Sequence, residues 1–270
     1  MRIAGSTLTF SRGGLAEALA QVAEIGFTEI ELAAIEGWAH VSPARLAEDP
    51  PGELGRVRQE LERHGMRVVA INSGLGGGPP AQREVRGRAV LDLAGRLGAG
   101  VVTLPPAGLR AENVRERSGE ELALLARLVD AARAAGVVLA VEGHMGGVTE
   151  DPASAAALCR AVPGLGLTLD PSHYWAGSAQ GQGWEVVAPH VAHVHLRDAG
   201  RGGWGQIQLA PGTGEVDFPR VLDVLAQAGY RGAFSEEYID TLPVVGGQGA
   251  AEAARALARL AAGWAWPPTG

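Results

Sequence analysis

The chain holds a single cysteine, Cys159, so it has no internal disulfide framework, and the Ala-rich stretch around that thiol reads as packing. It has no run of about 18 uninterrupted apolar residues, which excludes a transmembrane helix and makes a membrane partner unexpected. No block rich in Lys or Arg is present and the formal net charge is −7, so a nucleic-acid partner is disfavoured. The N-terminus, Met1 to Phe10, lacks the long apolar core of a signal peptide and reads as a strand, which makes the cytoplasm the expected compartment. Dinucleotide and nucleotide fingerprints are missing as well. The turn after the first strand reads Phe10-Ser-Arg-Gly-Gly-Leu15, and Gly74-Leu-Gly-Gly-Gly78 runs into Pro79-Pro80 with no phosphate-binding lysine.

What is present is an alternation of short β-rich runs with longer Ala/Leu/Arg/Glu-rich stretches. That pattern predicts parallel βα units, and with 46% hydrophobic residues over 270 positions the chain can bury a sizeable core. Eight strands are predicted: Ile3–Phe10, Glu29–Ala33, Arg67–Asn72, Gly100–Leu104, Val137–Glu142, Gly166–Asp170, Ala192–Leu196 and Ala233–Tyr238. Helices are predicted near 13–25, 51–64, 80–97, 117–135, 151–161, 182–189, 216–228 and 249–263. Gly26, Gly65, Gly136 and Gly229 each close a helix just before a strand, where a left-handed residue is needed. The strand exits, by contrast, lead into long Gly/Pro/Trp-rich loops. Eight units, short loops at one end and no Gly-rich fingerprint favour a closed (β/α)₈ TIM barrel over an open doubly wound sheet, as one α/β domain spanning 1–270. The closing Trp264-Ala-Trp266 is expected to pack the tail.

Four successive strands end on ligand-type side chains: Glu142, Asp170, His195 and the Glu236-Glu237 pair. Each alone fits a polar residue emerging into solvent. In a barrel, however, these ends converge on one mouth, and an ionisable residue that closes an apolar strand is costly unless paired, solvated or metal-bound. Strand alternation turns Glu237 inward and Glu236 outward with Phe234 and Tyr238. It also places His193 and His195 on the inner face about 7 Å apart. His195 lies nearer the mouth, and His193 reads as a hydrogen-bonded or supporting histidine. Three carboxylates and one imidazole would favour Mn²⁺, Co²⁺ or Mg²⁺, with Zn²⁺ open, as a single divalent ion.

Several pieces, in this order, carry a family resemblance: Leu139-Ala-Val-Glu-Gly-His144, Leu169-Asp-Pro-Ser-His173, His193-Val-His-Leu-Arg-Asp198, Pro211-Gly-Thr-Gly-Glu-Val-Asp-Phe218 and Gly229 to Tyr238. The chain resembles the xylose isomerase-like barrel superfamily, in particular the sugar phosphate isomerase/epimerase group and the ketose 3-epimerases. The resemblance implies that Glu142, Asp170, His195 and Glu237 bind the metal and that His173 and Arg201 hold substrate oxygens. It implies a metal-dependent isomerase or epimerase in which Glu142 and Glu237 move a proton next to the carbonyl of a ketose or related polyol. The residues after Glu142, Gly-His144-Met-Gly-Gly, depart from the ketose epimerases, which bears on the substrate more than on the metal.

Trp38, Trp175, Trp184 and Trp204 fall in or beyond strand-exit loops, and Trp175 and Trp204 are the best placed to stack on a substrate. A dehydratase of the inosose or dehydroshikimate type shares the first chemical step and stays open, as do a non-catalytic sugar-binding barrel and a homo-oligomeric state. An abasic-site endonuclease-like hydrolase is disfavoured, because strands three and four exit through Asn72-Ser-Gly and Leu104-Pro-Pro without histidine.

Overall fold

A computed structural model describes residues 1–106, 114–246, 249–264 and 266. The strands are β1 (Ile3–Ser6), β2 (Glu29–Ile35), β3 (Ala39–His40), β4 (Arg67–Gly74), β5 (Val101–Leu104), β6 (Val138–Glu142), β7 (Gly166–Leu169), β8 (Val191–Leu196) and β9 (Phe234–Glu236). The α-helices are α1 (Leu15–Ile25), α2 (Pro43–Glu48), α3 (Pro50–His64), α4 (Pro80–Leu97), α5 (Val114–Ala135), α6 (Pro152–Ala161), α7 (Pro171–Ala176), α8 (Phe218–Gln227) and α9 (Ala250–Ala262). The sheet runs β1-β9-β8-β7-β6-β5-β4-β2 with all neighbours parallel, and a β1–β2 pairing closes it. It is a closed eight-stranded (β/α)₈ barrel, with β3 a short antiparallel return on β2.

Alternation along the strands decides what meets what. Leu139, Val141, Leu167, Leu169, Val194 and Leu196 face outward and merge with the helix faces into one buried cluster. Burying a side chain of this size contributes about 1.5–3 kcal/mol each. The inward positions are small at the bottom, where Ala70, Val101 and Ala140 pack together. Gly166 belongs to the same narrow floor: a Cβ there would lie 2.7 Å from the Ala192 Cβ. Above this floor the inward residues turn polar, beginning with a Thr103–Thr168 hydroxyl contact of 2.7 Å.

Gly26, Gly65, Gly136 and Gly229 all take positive φ, between 63° and 108°, as their place before strands requires. The first strand is shorter than predicted. It stops at Ser6, whose hydroxyl accepts from the Leu8 N–H and starts a 3₁₀ turn over Thr7–Phe10. The segment predicted as a helix over 182–189 is a 3₁₀ helix, Trp184–His190, that contains Pro189. Helices α2 and α7, absent from the sequence reading, are single short turns entered through proline behind the caps Ser42 and Asp170.

The tail packs as expected, Trp264 on Phe218 and Trp266 on Phe234, each with ring centroids 5.1 Å apart. Cys159 is buried, and burial pushes its thiol up to about 11, which suits packing and not reactivity. No helix among the described residues is long and apolar enough to cross a membrane.

Candidate metal and active site

The C-terminal ends of β6, β7, β8 and β9 bring Glu142, Asp170, His195 and Glu237 together. One donor atom from each lies within 4.8 Å of the others, and all four residues are buried. Three carboxylates and an imidazole at that spacing fit one divalent cation. His195 is oriented from both sides. Its Nδ1 faces Glu142 Oε1 at 3.0 Å and Glu237 Oε1 at 3.3 Å, while Nε2 faces Glu31 Oε1 at 3.1 Å. With Nε2–H donated to Glu31, Nδ1 is the nitrogen left to ligate, the arrangement by which a carboxylate fixes the tautomer of a metal-binding histidine.

Glu31 is a site residue that the sequence reading passed over. It projects inward from β2 and is fully buried between His195 and His193, whose Nε2 is 3.3 Å away. Its second oxygen has no hydrogen-bond partner among the described residues. His193 also contacts Ser235 Oγ at 2.9 Å, in keeping with the supporting place read for it.

The electrostatics call for a cation. Burial opposes charge on His195, but Glu237 and Glu31 outweigh it and hold the imidazole well above its ordinary value. Burial and the neighbouring Glu142 charge raise Glu237, against the pull of His195. Glu142 itself is held low: burial works against its charge, but a hydrogen bond from His195 prevails.

Arg197, two residues beyond His195 on the same inward face, is the second unforeseen member. Its guanidinium is buried, with Nε donating to Ser172 Oγ at 3.0 Å and Nη2 to Asp170 Oδ2. Nη2 also lies 3.4 Å from Glu237 Oε2. Asp170 Oδ1 accepts from the Ser172 N–H and hydroxyl, so this aspartate both caps α7 and faces the site. Asn72, from the end of β4, donates to Glu237 Oε1 at 2.8 Å.

A cavity of about 180 Å³ opens above these groups, with Glu142, Glu237, Arg197, His144 and His173 on its wall. Met145 N–H donates to His173 Nδ1 at 3.2 Å, Nε2 faces Arg197 Nη2 at 3.3 Å and Asp170 Oδ2 at 3.7 Å, and burial holds this ring neutral. His144 stacks on His173 with centroids 4.0 Å apart, and Trp204 closes over both at 5.5 and 5.8 Å. Glu142, His144 and His173 form a further cluster of ligand type, yet Arg197 Nη2 lies 3.3 Å from His173 Nε2, an unfavourable neighbour for a second dication.

Of the residues expected to touch substrate, the structure brings His173 and Trp204 to the cavity. It does not bring Trp175 or Arg201 there. Trp175 is buried against Trp184, centroids 6.2 Å apart. Arg201 is half exposed and paired with Glu215 at 3.2 Å. Trp38 lines the cavity and is tied to Ser11 Oγ through its indole N–H. Glu236 points out of the barrel as alternation requires, but into a dry niche under the 3₁₀ turn. There it accepts from Ser6 N–H, Thr9 Oγ1 and Tyr238 N–H, while burial raises its carboxyl to about 7.

This barrel and its site place the chain in a class, and comparison with known proteins agrees. Residues 19–262 match the xylose isomerase-like TIM barrel family, and the chain belongs to that family. A putative hydroxypyruvate isomerase of Streptomyces coelicolor is 30% identical over 260 residues, covering 86% of this chain and 88% of the relative. Among solved structures, a xylose isomerase-like TIM barrel protein from Mycobacterium smegmatis in complex with magnesium is 18% identical with a TM-score of 0.77. The match covers 96% of this chain and 95% of that one. D-allulose 3-epimerase from Methylomonas sp., in complex with D-allulose, is 18% identical with a TM-score of 0.72, covering 98% and 97%. At that identity the two structures speak for the fold alone.

Proposed function

We propose that this chain is a divalent-metal-dependent enzyme that moves a proton at a carbon next to a carbonyl, isomerising or epimerising a small sugar, ketose or related polyol. The observation that carries the reading is the pair Glu142 and Glu237, which flank His195 Nδ1 at 3.0 and 3.3 Å and both face the cavity. The curated relative named for hydroxypyruvate isomerisation supports the same class of chemistry. An imine route to the same carbanion is closed, because the chain contains no lysine.

A divalent ion held by Glu142, Asp170, His195 Nδ1 and Glu237 would supply Lewis-acid polarisation of the substrate carbonyl and its neighbouring hydroxyl. The protein's own groups handle the proton. One glutamate removes it from the carbon, and the other returns a proton to the opposite face, which inverts the centre. Return to the adjacent carbon, with the hydroxyl proton passed between the two oxygens, moves the carbonyl instead. Arg197 and His173, both on the cavity wall, hold substrate oxygens, and Trp204 borders the ligand space beside the stacked histidines.

Turnover in D₂O is expected to place deuterium on the reacting carbon, and NMR of the recovered product identifies the outcome. Inversion marks an epimerase, a displaced carbonyl an isomerase, and loss of water a dehydratase. A panel of ketoses, aldoses, hydroxy-keto acids and inososes left unchanged by metal-loaded protein, with no deuterium uptake, would remove the proposal.

The raised His195 gives a second expectation. A histidine nitrogen must be free of its proton to ligate a metal, so loading the metal should expel a proton from His195. Glu237 and Glu31 hold the imidazole above its ordinary value against burial, so apparent metal affinity falls as pH drops, by up to about tenfold per pH unit for one proton exchanged. Calorimetric titration near neutral pH in buffers of different ionisation enthalpy should show net proton release on metal binding. Metal uptake with no proton released would count against His195 as a ligand.

A further inference from the structure

We propose that the substrate bears a carboxylate and that Arg197 binds it, so that the cavity takes a short hydroxy-keto acid and not a neutral sugar. The proposal rests on the proton-transfer reading above and puts an acid in place of the sugar or polyol named there.

Among the described residues Arg197 is the single Arg side chain on the cavity wall, and it is 1% exposed. Two of its three nitrogens are committed, Nε to Ser172 and Nη2 to Asp170. Nη1 makes no hydrogen bond among the described residues. Arg197 lines the cavity, so its guanidinium borders the ligand space. A guanidinium with one edge held by the protein and the other facing a ligand space is preorganised for an anionic oxygen, and its donors discriminate a carboxylate from a hydroxyl. Its place beside Asp170 and Glu237 puts that carboxylate next to the carbon on which Glu142 and Glu237 act.

The remainder of the wall points the same way. A neutral hexose carries four or five hydroxyls, each needing partners when buried. Among the described residues of the wall, Asn72 donates to Glu237 and Ser73 to the Ala34 carbonyl. Leu8, Ile35, Pro105, Ile239 and Leu242 supply apolar surface. A site of about 180 Å³ whose described residues include one guanidinium, the neutral imidazole of His173 and an apolar rim serves a short acid better than a polyol.

The test compares D- and L-glycerate with glycerol, a neutral analogue of similar size, by calorimetry on metal-loaded protein. Glycerate should bind wild type at least tenfold more tightly than glycerol. Arg197→Gln should lose roughly 10- to 100-fold of the glycerate affinity while glycerol binding is unchanged. Arg197→Lys keeps a charge beside Asp170 but removes the Nη1 edge, and should lose about tenfold. Metal content by elemental analysis and thermal melting accompany each variant, so that a change in affinity is scored only in folded, loaded protein. If Gln disturbs Asp170 and sheds the ion, the Lys variant decides. Equal affinity for glycerate and glycerol in wild type overturns the proposal, as does unchanged glycerate affinity in a loaded Arg197 variant. Failure of wild type to hold any divalent ion would instead overturn the metal-dependent reading beneath it, and elemental analysis separates the two.

Discussion

Glu142→Ala, Asp170→Ala, His195→Ala and Glu237→Ala are each expected to strip the protein of most of its bound divalent ion, while Glu236→Ala retains it. The four donors come from the ends of four different strands whose relative positions are set by the closed sheet, so the loss of one leaves the set incomplete. Removing Glu237 also leaves Arg197 and Asn72 facing an absent partner. Glu31→Gln should fall between these cases. It keeps an oxygen toward His195 but loses the charge that fixes the tautomer, and such supporting contacts are worth about 10–100-fold in metal affinity. Glu236→Ala should show a different failing. Three buried donors lose their acceptor, at a cost of roughly 2–4 kcal/mol in urea denaturation with metal content unchanged. The reverse pattern, with the ion kept in the Glu237 variant and lost in the Glu236 variant, would refute the assignment of β9.

The second large effect falls on the proton itself. Glu142→Gln and Glu237→Gln keep the side-chain volume and one oxygen, but neither can accept or deliver a proton at the reacting carbon. Each should lower kcat by about 10²–10⁴ with a smaller change in KM. The double variant should lie close to the slower single one, because the two groups serve one transfer and their losses do not add. In D₂O, the variant that removes the base should abolish deuterium uptake. The variant that removes the acid should permit exchange into recovered substrate, since abstraction survives while return on the other face fails. Either Gln variant, fully loaded with metal and within tenfold of wild-type kcat, would sink the two-glutamate mechanism.

Much of this site is legible in the sequence because strand alternation is local. His193-Val-His195 and Ser235-Glu-Glu237 declare their faces without knowledge of any partner strand, and an acid that closes an apolar run is conspicuous at Glu142 and Asp170. The same rule was available for Arg197, which continues the parity of His193 and His195. The family pattern drew attention to Arg201 instead, a residue that the loop carries outward to Glu215. Glu31 carried a similar signal, flanked by Ile30 and Leu32, whose side chains pack outward. Near the start of its strand it resembled an ordinary entry residue.

By itself the sequence determined the eight βα units, the end at which the long loops gather, and the inward set on each strand, since all depend on periodicities of a few residues. Only the tertiary structure decided which inward residues stand at the same height. Strand tilt and register in the closed sheet bring Glu31 of β2 across to His195 of β8, and lay Arg197 between Asp170 and Glu237. The 3₁₀ turn after β1, which seals Glu236, likewise arises where Ser6 caps the chain over the barrel rim. Closure is a property of all the strands together, and no local pattern encodes the distance across a barrel.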